Sequence, residues 1–254
     1  MMIYNELMNR YFKSKGVTAA GYGSLLGLGE TVRRGYSFGI CIVLALAPDI
    51  IERIPLGPDL NCFKAINATN KRLKDISLET QEFIEKQGFK AFSQAMVRRD
   101  ENCIAPLPHK IVATLAGLGW IGKSNLLVMR DYGSAVRLSS ILTNMPFVTA
   151  EPVYHSQCGN CNLCVTNCPV GAIHGTNWEV GVQRDALLDL EACRGAIARR
   201  NSILGAKGDA SCSRCVAACK YSQEYLRRTK RKENLETCYN SPPASSAFFS
   251  AASK

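Results

Sequence analysis

What this chain lacks narrows the field before anything it contains. Its longest apolar run, Phe38 to Pro48, is about half of the roughly 20 residues that a membrane helix needs, which excludes a bilayer span. The opening Met1-Met2-Ile3-Tyr4-Asn5-Glu6 turns polar at once and has no signal-peptide core, so the expectation is a cytoplasmic protein with no membrane partner. Gly21, Gly23, Gly27 and Gly29 follow no clear strand, and their spacing is not a phosphate-binding fingerprint. Acidic residues are scarce in one region: between Arg194 and Lys232 eleven Lys or Arg face only Asp209 and Glu224. That segment therefore carries nine of the chain's ten net positive charges. The Arg227–Lys232 run reads either as a solvated helix end or as a surface for an acidic redox partner or a phosphate backbone. At 254 residues, 46% hydrophobic and 20% charged, the chain is otherwise an ordinary globular one.

Cysteine is what it has in excess, with twelve. Cys158-Gly-Asn-Cys161-Asn-Leu-Cys164-Val-Thr-Asn-Cys168-Pro169 reads C-x2-C-x2-C-x3-C-P, the run with which bacterial ferredoxins hold iron–sulfur clusters. In such runs the fourth Cys ligates the other cluster, so a second set is required. Cys193 and the run Cys212, Cys215, Cys219 supply it. The crossing rule assigns Cys158, Cys161, Cys164 and Cys219 to a first [4Fe–4S] cluster, and Cys168, Cys193, Cys212 and Cys215 to a second. Zinc also uses C-x2-C pairs, but two zinc ions leave the third Cys of the run and its proline without a role. A disulfide framework suits short secreted chains and not this one. Cys41 reads as a small core residue, and Cys62 and Cys238 receive no ligand role.

Along the chain, periodicity predicts a helix over 4–14, a flexible glycine-rich stretch over 21–30 and a buried strand from Phe38. Helices follow over 60–75 and 78–87, the second starting at Ser77, then a strand over 89–97. This rhythm suggests an α/β or α+β layer. A helix over 109–116 precedes Ala116-Gly-Leu-Gly-Trp-Ile-Gly-Lys123. Its glycines suit either a tight turn or a cofactor-facing loop. Strands over 126–129 and 134–143 read as a hairpin around Asp131-Tyr132-Gly133. The expected division is an α/β domain over 1–150, a double-cluster domain over 151–235 and a disordered tail over 236–254.

Together, AGLGWIGK (116–123), the segment 126–143, CGNCNLCVTNCPVGAI (158–173), Cys193 and the run 212–219 resemble the epoxyqueuosine reductase family, which is related to the reductive dehalogenases. The resemblance implies an α+β protein: a nitroreductase-like N-terminal domain that holds base-off cobalamin, followed by a bacterial-ferredoxin-like module with two [4Fe–4S] clusters. It implies an oxidoreductase that passes electrons from a low-potential donor such as flavodoxin or ferredoxin to the cobalt, with tRNA as the family's substrate-bearing partner. By the same resemblance Gly119, Trp120 and Gly122 belong to the corrinoid loop. One departure stands out. Cys103, three residues before Pro106, occupies the position of the family's catalytic Asp, and a thiol with its pKa near 8.5 replaces a carboxylic acid near 3.9. A cobalamin-free electron carrier serving a partner enzyme is the alternative.

Overall fold

The computed structural model describes residues 2–97, 105–205 and 212–240, the last eight of these by backbone alone. The first half runs α1 (Met2–Ser14), β1 (Ala19–Ser24), α2 (Glu30–Arg33), β2 (Phe38–Ala45), α3 (Pro48–Arg53), α4 (Leu60–Lys86), β3 (Ala91–Ser93) and α5 (His109–Leu115). Then come β4 (Trp120–Ile121), β5 (Leu127–Val128) and β6 (Val136–Thr143). Four strands form one antiparallel sheet in the order β1-β2-β6-β3, and β4 pairs β5 separately. The class is α+β.

Phe38 to Ala45 read as an unbroken apolar run because β2 is covered on both faces. Ile40, Ile42 and Leu44, with Ile141 of β6, meet Met8 and Phe12 of α1 and Leu73, Ile76 and Ile84 of α4. Cys41 and Val43, with Leu142, meet Val112 and Ala113 of α5. Cys41 is fully buried, as its place in the run suggests.

Four local expectations are corrected. The glycine-rich stretch expected to be flexible contains β1, and its glycines serve close approach. A Cβ on Gly21 would lie 2.7 Å from the Ala116 carbonyl oxygen, and one on Gly23 would lie 2.7 Å from the Leu115 carbonyl carbon. The two helices expected over 60–75 and 78–87 are the single helix α4, capped by Asp59, whose carboxylate accepts from the backbone N–H groups of Asn61 and Cys62. Ser77 lies inside it, fully buried, bonded to the hydroxyls of Ser93 and Ser139. With no Gly or Pro between Leu60 and Lys86, nothing breaks the helix there. The strand expected over 89–97 is only Ala91–Ser93, because the chain then tightens into a short 3-10 turn. Finally, the segments around Asp131 do not pair as one hairpin: β5 pairs β4 and β6 joins the main sheet, with only a bridge between Met129 and Gly133.

The second half holds α6 (Leu163–Thr166), α7 (Leu190–Leu204), α8 (Arg214–Ala218) and α9 (Lys220–Asn240). Its apolar core is shared with the first half. Val216, Ala217 and Leu226 pack with Leu46, Ile50, Ile51, Ile54, Cys62 and Ile66, and Trp178 and Leu187 pack on Ile121. The helix α9 runs to Asn240, into the stretch expected as tail from 236, because no Gly or Pro intervenes before Pro242. The rest of that stretch lies outside the described residues. Among the described residues no helix is long and apolar enough to cross a membrane.

Candidate metal centre

Short irregular elements, each ended by a specific turn, bring the eight cysteines of the two runs together. Cys158 and Cys161 flank a turn closed by the Cys161 N–H on the Cys158 carbonyl (3.1 Å), with Gly159 in the left-handed region. Cys164 lies in α6 and Cys168 directly after it, where the Ala172 N–H donates to the Cys168 Sγ at 3.3 Å. Cys193 sits in the first turn of α7, whose cap is Asp189 accepting from the Ala192 N–H. Cys215 lies in α8, with Cys212 just before it and Cys219 just after. Between them buried Ser213 holds a left-handed φ of 57°, a conformation that costs a non-glycine residue free energy and is held by its surroundings.

The electrostatic neighbours of these thiols fall into two groups. In the metal-free chain burial pushes the Cys164 thiol up to about 11, and Cys158, Cys219 and Cys161 push in the same direction. Burial pushes Cys215 up to about 12, helped by Cys164, Cys212, Cys193 and Cys168. Cys193 is raised by burial, then by Cys168 and Cys212. The thiols around Cys164 all belong to the first assigned set, whereas those around Cys215 begin with Cys164 of that set before Cys212, Cys193 and Cys168, so the two sets abut. Thiols crowded this way resist ionisation unless a metal supplies positive charge, and thiolate is the form that ligates.

A hollow partly open to solvent is lined by Cys158, Cys161, Cys164 and Cys219 together with Lys123 and Tyr221. The Trp120 indole N–H donates to Cys158 Sγ at 3.4 Å, and its ring meets Tyr221 edge to face at 5.2 Å. Lys123 is 4% exposed. Arg137, from β6, is half-buried and lies within electrostatic range of Cys215. Among the described residues no three or more His, Cys, Asp or Glu gather closely enough to hold one bare ion. Zinc would draw four sulfurs in to about 2.3 Å from a single point. Spread thiols around a hollow, with N–H donors and buried cations beside them, fit an anionic [4Fe–4S] cluster.

The residues assigned to a corrinoid loop have other neighbours. A Cβ on Gly119 would collide with the Val128 carbonyl oxygen, and one on Gly122 would lie 2.7 Å from Val128 Cγ2 and 3.4 Å from Cys158 Sγ. Trp120 is 1% exposed. All three turn toward β5 and the first set of cysteines, so these contacts offer no open cradle that fits a corrin. Cys103 lies outside the described residues. Sequence reasoning missed Lys123 and Arg137: Lys123 stood in the quoted AGLGWIGK without a role, and nothing local marks Arg137.

Cys41 lies apart from this centre, and Cys62 sits behind it, in the apolar cluster against which Cys215 packs. Cys41 is in β2, its thiol pushed up by burial, and Cys62 is in α4. Cys41→Ala and Cys62→Ala will each leave iron per chain unchanged in a colorimetric assay after anaerobic reconstitution, while Cys41→Ala lowers stability by about 1 kcal/mol.

The basic segment is partly internal. Arg228 donates to the Asp131 carbonyl, Lys230 pairs with Glu52, Arg214 donates to the Pro55 carbonyl (2.6 Å) and Arg200 to that of Gly57 (2.7 Å). These tie the cysteine-bearing half to the sheet half, and Arg227, Arg231 and Lys232 remain exposed on α9.

Known proteins agree with this geometry. Residues 157–222 match the family described as a 4Fe-4S double cluster binding domain. The epoxyqueuosine reductase of Aliivibrio fischeri is 32% identical over 123 residues, which are 48% of this chain and 29% of that protein. The match thus spans less than a third of that relative. A crystal structure of epoxyqueuosine reductase with a tRNA-Tyr epoxyqueuosine-modified stem loop superposes with a TM-score of 0.57 at 18% identity, covering 87% of this chain and 66% of that one. A reductive dehalogenase whose structure is described as suggesting a mechanism for B12-dependent dehalogenation gives 0.54 at 14% identity, over 87% and 34% of the two chains. The cysteine-bearing segment thus matches the 4Fe-4S double cluster binding domain, and the chain is similar in sequence over about half its length, and in fold, to epoxyqueuosine reductases.

Proposed function

We propose that this protein is an iron–sulfur reductase that moves electrons one at a time through two [4Fe–4S] clusters. Cys158, Cys161, Cys164 and Cys219 hold the first cluster, and Cys168, Cys193, Cys212 and Cys215 hold the second. The observation that carries the reading is the hollow that Cys158, Cys161, Cys164 and Cys219 line together, with Cys215 of the other set beside Cys164. When bound, the clusters supply one-electron transfer. The chain's own contribution is to bury the thiols, donate N–H bonds to them from Trp120 and Ala172, and set Lys123 and Arg137 beside them as counter-charge. A low-potential donor such as flavodoxin or ferredoxin supplies the electrons. Anaerobic reconstitution tests this: about eight irons per chain and a broad visible absorbance bleached by dithionite are expected. Stoichiometric zinc with no such absorbance overturns it.

Cobalamin as the electron acceptor is the second reading, favoured by the fold shared with epoxyqueuosine reductases and reductive dehalogenases. It carries with it the nitroreductase-like parentage of the sheet half. Gly119, Trp120 and Gly122 give it no support. Mixing cluster-loaded protein with cobalamin decides between the two: a base-off absorption spectrum favours the corrinoid enzyme, and an unchanged spectrum with both clusters intact favours the carrier. A tRNA partner rests on the basic run of α9. With Arg228 and Lys230 engaged internally, neutralising Arg227, Arg231 and Lys232 together should flatten the salt dependence of tRNA binding by up to about three units of slope.

A further inference from the structure

We infer that Lys123 raises the reduction potential of the cluster held by Cys158, Cys161, Cys164 and Cys219, by setting a buried ammonium beside it. The inference rests on the two-cluster reading above. Lys123 lines the same hollow as those four thiols and is 4% exposed. Its ammonium donates to Asn162 Oδ1 at 2.8 Å, a neutral amide lying between Cys161 and Cys164 in sequence. Among the described residues no carboxylate forms an ion pair with it. A cation withdrawn from water with only a neutral partner is strongly disfavoured unless an anion stands close by. The hollow is where that anion belongs. An oxidised cluster with its four thiolates carries about −2 and its reduced form one negative charge more, so a fixed positive neighbour stabilises the reduced form more.

The turn that aims Lys123 is itself constrained. The Gly122 N–H bonds the Leu126 carbonyl and the Asn125 N–H bonds that of Gly122, both at 2.8 Å, with Asn125 at a left-handed φ of 59°. Lys110 reaches across from α5 to the Asn125 carbonyl at 2.9 Å. Trp120, on the same hairpin, gives its N–H to Cys158, a second influence that raises the potential. Lys220 also borders the hollow, but it is exposed and lies over the Tyr221 ring at 4.9 Å, where water and salt screen it. Lys123 lines the hollow of the first set and Arg137 lies near Cys215 of the other, so Lys123 acts most strongly on the first cluster.

The test is an EPR-monitored redox titration of the full chain, reconstituted anaerobically. In Lys123→Met one of the two couples falls, its reduced-to-oxidised ratio at fixed potential dropping tenfold or more, which is about 59 mV for one electron. The other couple moves less. Lys123→Arg restores the first, and Trp120→Phe lowers that same couple. Both couples unmoved in Lys123→Met, with both clusters present, overturns the inference. If the Met variant does not retain the first cluster, Lys123→Gln is titrated under the same criterion. Loss of that cluster whatever replaces Lys123, Arg included, makes the residue purely structural and likewise overturns it. Wild-type protein without two one-electron couples sinks the cluster reading itself, a result separable from any failure at Lys123.

Discussion

Combining Cys158→Ala with Cys219→Ala will cost no more iron than either change alone, leaving about four irons per chain of about eight. Combining Cys158→Ala with Cys193→Ala will remove nearly all of it. This non-additivity follows from shared ligation. Cys158, Cys161, Cys164 and Cys219 line one hollow, although Cys219 is more than fifty residues from Cys164 and Cys168 only four. An uncrossed pairing, with Cys168 in the first cluster and Cys219 in the second, predicts nearly complete loss in both double variants, because Cys158 then shares a cluster with neither Cys219 nor Cys193. Iron analysis with EPR on dithionite-reduced samples reads the result. Nearly complete iron loss in the Cys158/Cys219 double variant, where each single variant keeps about half, would falsify the crossed assignment. A partial ligand set also removes binding energy that organises a small metal domain, so each single variant will unfold at lower temperature than wild type.

Gly133→Ala will destabilise the protein by about 2–5 kcal/mol, measured by anaerobic chemical denaturation. Gly133 has a left-handed φ of 59°, and a Cβ there would run into the Ser222 backbone, 2.7 Å from its Cα. Two costs add: left-handed strain of roughly 1–2 kcal/mol and overpacking of about 1–3 kcal/mol against backbone that cannot yield. The contact is where the first turns of α9 dock on the turn before β6. Around it the Ser134 N–H donates to Ser222 Oγ (3.1 Å), the Tyr225 hydroxyl donates to the Leu46 carbonyl (3.2 Å), and Tyr132 meets Tyr225 edge to face. Cys219 immediately precedes α9, so displacing the helix moves a proposed ligand, and iron retention will fall along with stability. A change under about 1 kcal/mol would show that α9 can shift without cost.

Part of the fold was legible because its cause is local. The run from Phe38 became a buried strand since a chain covered on both faces must be apolar throughout. The helix at His109 follows Pro106 and Pro108, which break the chain ahead of it. The expectations that failed share another cause. Gly21 and Gly23 read as flexible because glycine permits many conformations, yet here their missing Cβ admits the backbone of Leu115 and Ala116. Ser77 looked like a helix start because serine caps well, but hydroxyl partners on β3 and β6 let it sit buried in mid-helix.

The sequence by itself determined that seven thiols come in two runs with an eighth, Cys193, between them, because ligand spacing along a chain is set by the size of the group to be bound. Only the tertiary structure decided which thiols became neighbours, that the sheet half and the cysteine half share one apolar core, and that Lys123 and Arg137 face the two sets. Those facts depend on residues far apart in the chain, where burial and charge compensation act through space and leave no local pattern to read.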